Sequence, residues 1–181
     1  SHFKQVNTKT TPRQWLSSAL EIRHFQRQTR LGRCNVGNVK KEFMESQLPI
    51  SSSGGSAGSK SVRKEFLEKV MRRLLPFLRP DTFQGTIKAI NGKILSVLDG
   101  GISGRVDVGM FFALIAPICS GTQEKRKRVA FEALVWRSSK EVGAISKSDA
   151  SLYLKLLRAV YFPIQGASAI LEVYQMDDQT L

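Results

Sequence analysis

The chain has few of the residues on which catalysis, metal binding and disulfide frameworks usually depend. Its 181 residues include two histidines and two cysteines, with 15 acidic residues against 28 Lys and Arg. We find no Ser/His/Asp or Cys/His grouping, no phosphate-binding glycine loop and no zinc-finger spacing in the sequence. No apolar run reaches the roughly 18 to 20 residues that span a bilayer. These absences argue against an enzyme and against a membrane-spanning protein.

The two cysteines, Cys34 and Cys119, are too few for a disulfide framework. Neither has a nearby candidate metal ligand in the sequence. Reduced thiols in a cytoplasmic or nuclear protein are therefore the simplest interpretation.

The net charge is strongly positive, at +13. The first 50 residues carry more positive charge per residue than the remainder, with a net charge of about +6. Acidic proteins, anionic membranes and nucleic acids are all electrostatically compatible partners. Charge alone does not choose among them.

The most unusual stretch, residues 51–59, reads Ser-Ser-Ser-Gly-Gly-Ser-Ala-Gly-Ser. This composition is typical of a flexible linker and resembles an engineered join. A natural disordered linker is the alternative. The stretch divides the chain into a basic amphipathic peptide, residues 1–50, and a helical domain, residues 60–181. The sequence leaves open whether the two parts come from one protein or from two.

Apolar residues recur with helical spacing in both parts, and no convincing period-2 strand is present. Thr11 and Pro12 favour a helix start, and the first helix is expected to end near Gly32. The sequence therefore predicts an all-α fold with at most one very short strand pair. Helices are predicted over about 12–30, 36–47, 61–75, 81–98, 108–118, from Thr122 to the loop at Ser138, over 149–162 and over 167–174.

Two loops between the helices share a pattern. Residues 99–110 read Asp-Gly-Gly-Ile-Ser-Gly-Arg-Val-Asp-Val-Gly-Met, and residues 138–149 read Ser-Ser-Lys-Glu-Val-Gly-Ala-Ile-Ser-Lys-Ser-Asp. Each has a glycine two positions before a β-branched residue, Val106 or Ile145, and these lie about 39 positions apart. Over about residues 86–162 the pattern resembles an EF-hand pair of the calmodulin-like superfamily. The resemblance implies that Val106 and Ile145 pair with each other. An unrelated helical bundle with two glycine turns is the alternative.

Both loops depart from the EF-hand pattern where calcium would bind. Calcium takes six to eight oxygens, including a bidentate Glu at loop position 12. Lys140 places a cation in the second loop, where an anion is required. We therefore expect no calcium and no other cofactor. The oxygen-bearing side chains left at loop positions are Asp99, Ser103, Asp107 and Asp149.

Calmodulin-like pairs also bind amphipathic helices in an apolar groove. The candidate groove residues follow the two loops and are Met110, Phe111, Leu114, Ile115, Leu152, Tyr153, Leu156 and Leu157. The candidate anchors of the basic peptide are Trp15, Leu16, Leu20, Ile22 and Phe25. For each candidate groove residue, the alternative interpretation is that the side chain is part of the hydrophobic core.

The basic peptide also resembles part of a motif that proteins of the calmodulin family bind. Phe25-Gln26-Arg-Gln-Thr-Arg30 resembles the first half of an IQ motif, whereas Leu31 and Asn35 depart from the second half. The arginine face of this helix is expected to meet acids such as Glu132, Glu141 or Asp149.

A basic cluster lies near the start of the helix after Thr122 and comprises Lys125, Arg126, Lys127 and Arg128. It is compatible with a phosphate contact, a nuclear signal or a solvated helix end.

The sequence as a whole favours a non-catalytic scaffold or adaptor domain. Such a domain would bind a basic amphipathic helix, the attached residues 1–50, in an apolar groove without calcium. A basic helical nucleic-acid-binding module is the alternative.

Overall fold

The computed structural model describes residues 12–45, 60–99, 104–138 and 143–162. Within the first helix, side chains are described from Ala19 onward. The predicted helix over 167–174 lies outside the described residues.

The first segment folds into two helices joined by a short turn. Helix α1 spans Pro12–Thr29, a 3-10 turn spans Leu31–Arg33, and α2 spans Val36–Glu45. Helix α1 ends one residue before the predicted boundary at 30, where Arg30 adopts a left-handed conformation with φ 62°. This turn brings Leu31 into the core, where it is fully buried.

The second segment is also helical apart from one pair of short strands, and the all-α fold class is confirmed. Its elements are β1 (Ser61–Arg63), α3 (Lys64–Leu74), α4 (Pro80–Ile90), a π-helical turn (Asn91–Leu95), α5 (Ser96–Asp99), β2 (Arg105–Asp107), α6 (Val108–Ile115), a 3-10 turn (Ala116–Ile118), α7 (Gln123–Ser138) and α8 (Lys147–Tyr161). Pro80 starts α4 at a position where a proline costs no hydrogen bond. The helix predicted over 61–75 starts three residues late, because its first residues form β1.

The strand pair does not follow the expected EF-hand arrangement. Strands β1 and β2 are antiparallel, and Val62 lies opposite Val106. Residues 144–146 carry no strand, so the pairing of Val106 with Ile145 is wrong for this structure. Both valines of the observed pair are fully buried. The observed pairing therefore places both valines in the core, on one face of the strand pair.

One hydrophobic core joins the two segments. Its centre is α6, which is buried on all sides from Val108 to Ile115. A helix that is apolar all round belongs inside a bundle. Helix α1 packs against α4 and α8, and α2 packs against α7, α6 and α3. The core therefore includes residues from both sides of the stretch 51–59.

No helix in the described ranges combines the length and apolar character needed to cross a membrane.

Candidate protein-interaction site

Helix α1 contacts the second segment through an aromatic pair and two hydrogen bonds. The ring of Phe25 meets that of Tyr161 edge-on, with centroids 6.3 Å apart. Gln26 Nε2 donates to the carbonyl of Ile118 at 2.9 Å. The hydroxyl of Thr86 donates to the carbonyl of Thr29 at 3.4 Å, and both threonines are buried. The Gln of the IQ-like pattern thus contacts the backbone of the connection between α6 and α7.

Helix α2 is held by aromatic rings and two ion pairs. The Phe43 ring lies 5.5 Å from that of Phe112 and 5.9 Å from that of Trp136. Lys40 Nζ contacts Glu132 at 3.0 Å. Glu42 receives a bidentate contact from Arg73, with the shortest distance 2.9 Å. A cation of the first segment therefore meets Glu132, although it comes from α2 and not from the arginine face of α1.

The predicted anchors of α1 divide into buried and exposed side chains. Ile22 and Phe25 are buried, whereas Leu20 is 57% exposed. The buried stripe of α1 follows residues 19, 22, 25 and 29, and Leu20 falls outside that helical spacing. The side chains of Trp15 and Leu16 lie outside the part of the chain that the structure describes.

The predicted groove residues are largely core. Met110, Phe111, Leu114 and Ile115 are fully buried inside α6, so they form no open groove. Of the four predicted residues on α8, Tyr153 and Leu157 are buried, Leu156 is half-buried and Leu152 is 37% exposed. Tyr153 and Tyr161 donate hydroxyl hydrogen bonds to α6 carbonyls, those of Ala113 at 3.0 Å and Leu114 at 2.7 Å.

The two loops have the same local geometry at corresponding positions. Gly104 has φ 65° and Gly143 has φ 88°, conformations that favour glycine. Three residues after Gly104, the Asp107 side chain caps α6 by accepting from Met110 N at 3.1 Å. Three residues after Gly143, Ser146 caps α8 by accepting from Asp149 N at 3.1 Å. The repeat seen in the sequence is thus also present in backbone conformation and capping.

Arg137 links the two loops. Its Nε donates to Asp107 Oδ2 at 2.7 Å, and its Nη1 donates to Asp149 Oδ1. Burial of the guanidinium lowers the pKa of Arg137, but the two carboxylates outweigh burial and hold that pKa above its ordinary value. Sequence reasoning missed this residue because it lies in α7, before the loop, where no pattern marks it.

Two of the oxygen-bearing side chains at loop positions are engaged within the protein. The carboxylates of Asp107 and Asp149 are already bonded to a cation of the protein itself. Within the described ranges, no group of three or more His, Cys, Asp or Glu side chains is placed to hold a metal ion. The side chain of Asp99 and the whole of Ser103 lie outside those ranges, as does Glu141.

An apolar groove lies between α7 and α8, and the predicted groove residue Tyr153 is among the residues that line it. It has a volume of about 300 Å³ and is lined mainly by apolar side chains. Phe131 and Leu154 line it and are 46% and 44% exposed. Helical periodicity alone does not distinguish such exposed residues from core residues on a broad apolar face.

The basic cluster is not one continuous surface. Arg126 is buried, and its Nη1 donates to the carbonyl of Pro117 at 2.8 Å. Lys125, Lys127 and Arg128 are exposed. Because successive residues of a helix point about 100° apart, four consecutive cations cannot share one face. The predicted four-residue patch is therefore wrong at Arg126.

The described residues thus define an all-α domain with two similar loop-and-cap units on one core. Two uncharacterized TPR repeat-containing proteins of Arabidopsis thaliana are similar to this chain. One is 57% identical over 175 residues, which is 96% of this chain and 22% of the relative. The other is 53% identical over 181 residues, which is 99% of this chain and 23% of the relative. The chain spans less than a quarter of the length of these curated relatives.

Each alignment includes residues on both sides of the stretch 51–59. The alignments therefore favour one protein as the source of both segments, and they lend no support to an engineered join. No family model matches the chain, and no solved structure matches it significantly.

Proposed function

We propose that this chain is a non-catalytic protein-interaction domain built on an EF-hand-like helix pair that works without calcium. In this proposal α5 and α6 flank the first loop, and α7 and α8 flank the second. The basic segment, α1 and α2, is the helical ligand of this pair within the same chain. The observation that carries the proposal is the packing of Ile22, Phe25 and Gln26 against the second segment.

The comparisons support a role in protein interaction. The relatives are named for TPR repeats, and TPR arrays present extended binding surfaces. That name describes each whole relative, of which this chain matches less than a quarter. A scaffold or adaptor role for this chain is consistent with that name.

An outside partner would dock in the groove between α7 and α8. The exposed Phe131 and Leu154 supply apolar contact, and Lys127 lies at the edge of the groove. An apolar groove beside a cation fits an amphipathic helix with acidic flanking residues. Helices α1 and α2 contribute no residue to the lining of this groove.

Calcium independence rests on Arg137. Its guanidinium occupies the position between the two loops and neutralises Asp107 and Asp149. A metal that binds only the folded state would raise the melting temperature by mass action. We expect equal melting temperatures in calcium and in EDTA, measured by circular dichroism on the full chain. A calcium-dependent rise in the melting temperature would contradict the proposal.

The proposed docking of α1 and α2 on the second segment can be tested by cutting the chain within residues 51–59 through an inserted protease site. We expect the two pieces to stay together on a sizing column and to reassociate saturably in a calorimeter. Phe25→Ala should weaken the association strongly, because it removes a buried ring that contacts Tyr161. Leu20→Ala is the matched control on the same helix and should have little effect. Equal losses in the two variants would refute the docking model.

A further inference from the structure

Cys34 and Cys119 lie side by side where the first segment meets the connection between α6 and α7. Ser120 N donates to the carbonyl of Cys34 at 2.8 Å, and Val36 N donates to the carbonyl of Ser120 at 2.9 Å. These two bonds form a parallel bridge between Asn35 and Ser120. The hydroxyl of Ser120 adds a third bond, to the carbonyl of Cys34 at 3.1 Å.

The cysteines precede the two bridged residues, one on each side. Cys34 has φ −87° and ψ 120°, and Cys119 has φ −76° and ψ 166°, so both backbones are extended. Opposed residues of a parallel ladder point to the same face, and their strands lie about 4.8 Å apart. That spacing falls within the roughly 4.4 to 6.8 Å between Cα atoms that a disulfide accepts. The two thiols are close enough for each to shift the pKa of the other. In the structure each thiol donates to a backbone carbonyl, Cys34 Sγ to that of Asn35 at 3.7 Å and Cys119 Sγ to that of Ile115 at 3.3 Å.

The surroundings differ for the two sulfurs. Interaction with the Cys119 thiol lowers the pKa of Cys34, against the opposing effects of burial and of Glu42. The same interaction and burial raise the pKa of Cys119 well above its ordinary value, and the nearby Arg126 lowers it only in part. These directions make Cys34 the more readily ionised thiol of the pair. Both thiols are free, and each is 1% exposed.

We propose that Cys34 and Cys119 form a site of reversible oxidation, where a small-molecule disulfide such as glutathione disulfide converts the two thiols into one disulfide. The Cys34 thiolate attacks the oxidant, forms a mixed disulfide and releases one glutathione thiolate. Cys119 then loses its proton, attacks the Cys34 sulfur and releases the second glutathione. Two electrons pass to the oxidant, and the two cysteine protons end on the two glutathione molecules.

The disulfide would tie the basic segment covalently to the second segment and close the loop from residue 34 to residue 119. Cross-linking distant residues restricts the unfolded chain, so the oxidised form should resist unfolding. Oxidation would therefore lock α1 and α2 onto the core. Because both sulfurs are buried, the reaction in the native chain proceeds through local opening of this contact.

The test is the thiol–disulfide equilibrium of the full chain in glutathione buffers, approached from both the reduced and the oxidised form. We expect loss of both thiols with no retained glutathione, and a monomer on a non-reducing gel. The equilibrium constant for forming the disulfide should be at least about tenfold larger in the native chain than in the same chain in urea. The midpoint of urea unfolding should rise on oxidation.

The matched controls are Cys34→Ser and Cys119→Ser, each of which keeps one thiol and cannot form the bond. We expect neither variant to gain resistance to urea under oxidation. An equilibrium no more favourable in the native chain than in urea would overturn the proposal. So would an oxidised chain that fails to regain the native circular dichroism spectrum, because the fold would then not accommodate the bond.

Discussion

Gly109 and Arg137 show how single residues set the distance between helices α6 and α7. A Cβ atom added to Gly109 would lie 2.6 Å from Arg137 Cβ and 3.1 Å from the carbonyl oxygen of Ala133. One is a Cβ atom and the other a backbone oxygen, so neither can move aside by a change of side-chain rotamer. The close approach places the Arg137 guanidinium between Asp107 and Asp149.

We expect Gly109→Ala to destabilise the protein by about 1–3 kcal/mol through overpacking. The matched control is Gly85→Ala in α4, where an added Cβ meets no atom within 4 Å. That variant should be neutral or stabilising by about 0.5–1 kcal/mol, because alanine restricts the unfolded chain. Urea unfolding followed by circular dichroism measures both. Destabilisation of the same size in both variants would show that the α6–α7 contact is not tight.

The Arg137–Asp149 ion pair should be worth more than an exposed one. Their side chains are 14% and 15% exposed, whereas Arg73 in the pair with Glu42 is 51% exposed. A double-mutant cycle with Arg137→Met and Asp149→Asn should give a coupling free energy of about 1–3 kcal/mol. The same cycle with Arg73→Met and Glu42→Gln should give about 0.2–1 kcal/mol. Equal coupling in the two cycles would argue against a structural role for the Arg137 bridge.

At the scale of helices, α6 and α7 differ in how much of their surface is buried. Every residue of α6 is buried, because α2, α7 and α8 surround it. Helix α7 has one face on the core and another, with Phe131, in the groove beside α8. The contrast distinguishes a core helix from one that offers a binding surface.

Two phenylalanines test this distinction with the same chemical change. Phe112→Ala removes a fully buried ring in contact with Phe43 and Phe111, and should cost about 3–5 kcal/mol of stability. Phe131→Ala removes a ring that is 46% exposed, and should cost less than about 1 kcal/mol. Chemical denaturation measures both values. A large loss at Phe131 would mean that the groove is part of the core.

At the scale of the whole molecule, the two segments share one core despite the serine- and glycine-rich stretch between them. A common core should unfold as one cooperative unit. The tryptophan Trp136 reports on that core, because its ring contacts Phe43 of the first segment.

We therefore expect one unfolding transition for the full chain. Far-ultraviolet circular dichroism and tryptophan fluorescence should give the same midpoint in urea. Phe25→Ala should lower both midpoints together, because it weakens a contact between the segments. Separate midpoints would indicate that α1 and α2 unfold independently of the rest.

Local patterns accounted for much of the fold and less of the site. The helices over 12–30, 81–98 and 149–162 follow from periodic apolar residues and from proline and capping residues, which act within a few positions of the chain. The glycines at 104 and 143 likewise marked turns that need positive φ. The pattern also placed Ile22 and Phe25 on one apolar face of α1, but it could not separate them from the exposed Leu20.

The sequence by itself determined the all-α class, most helix positions and the repeated loop pattern, because these depend on interactions between near neighbours in the chain. Tertiary packing alone decided that Val62 pairs with Val106, that Arg137 bridges the two loops, and that Cys34 lies beside Cys119. Each of these contacts joins residues far apart in the sequence. Their formation depends on how the helices cross around α6, and no local pattern encodes that geometry.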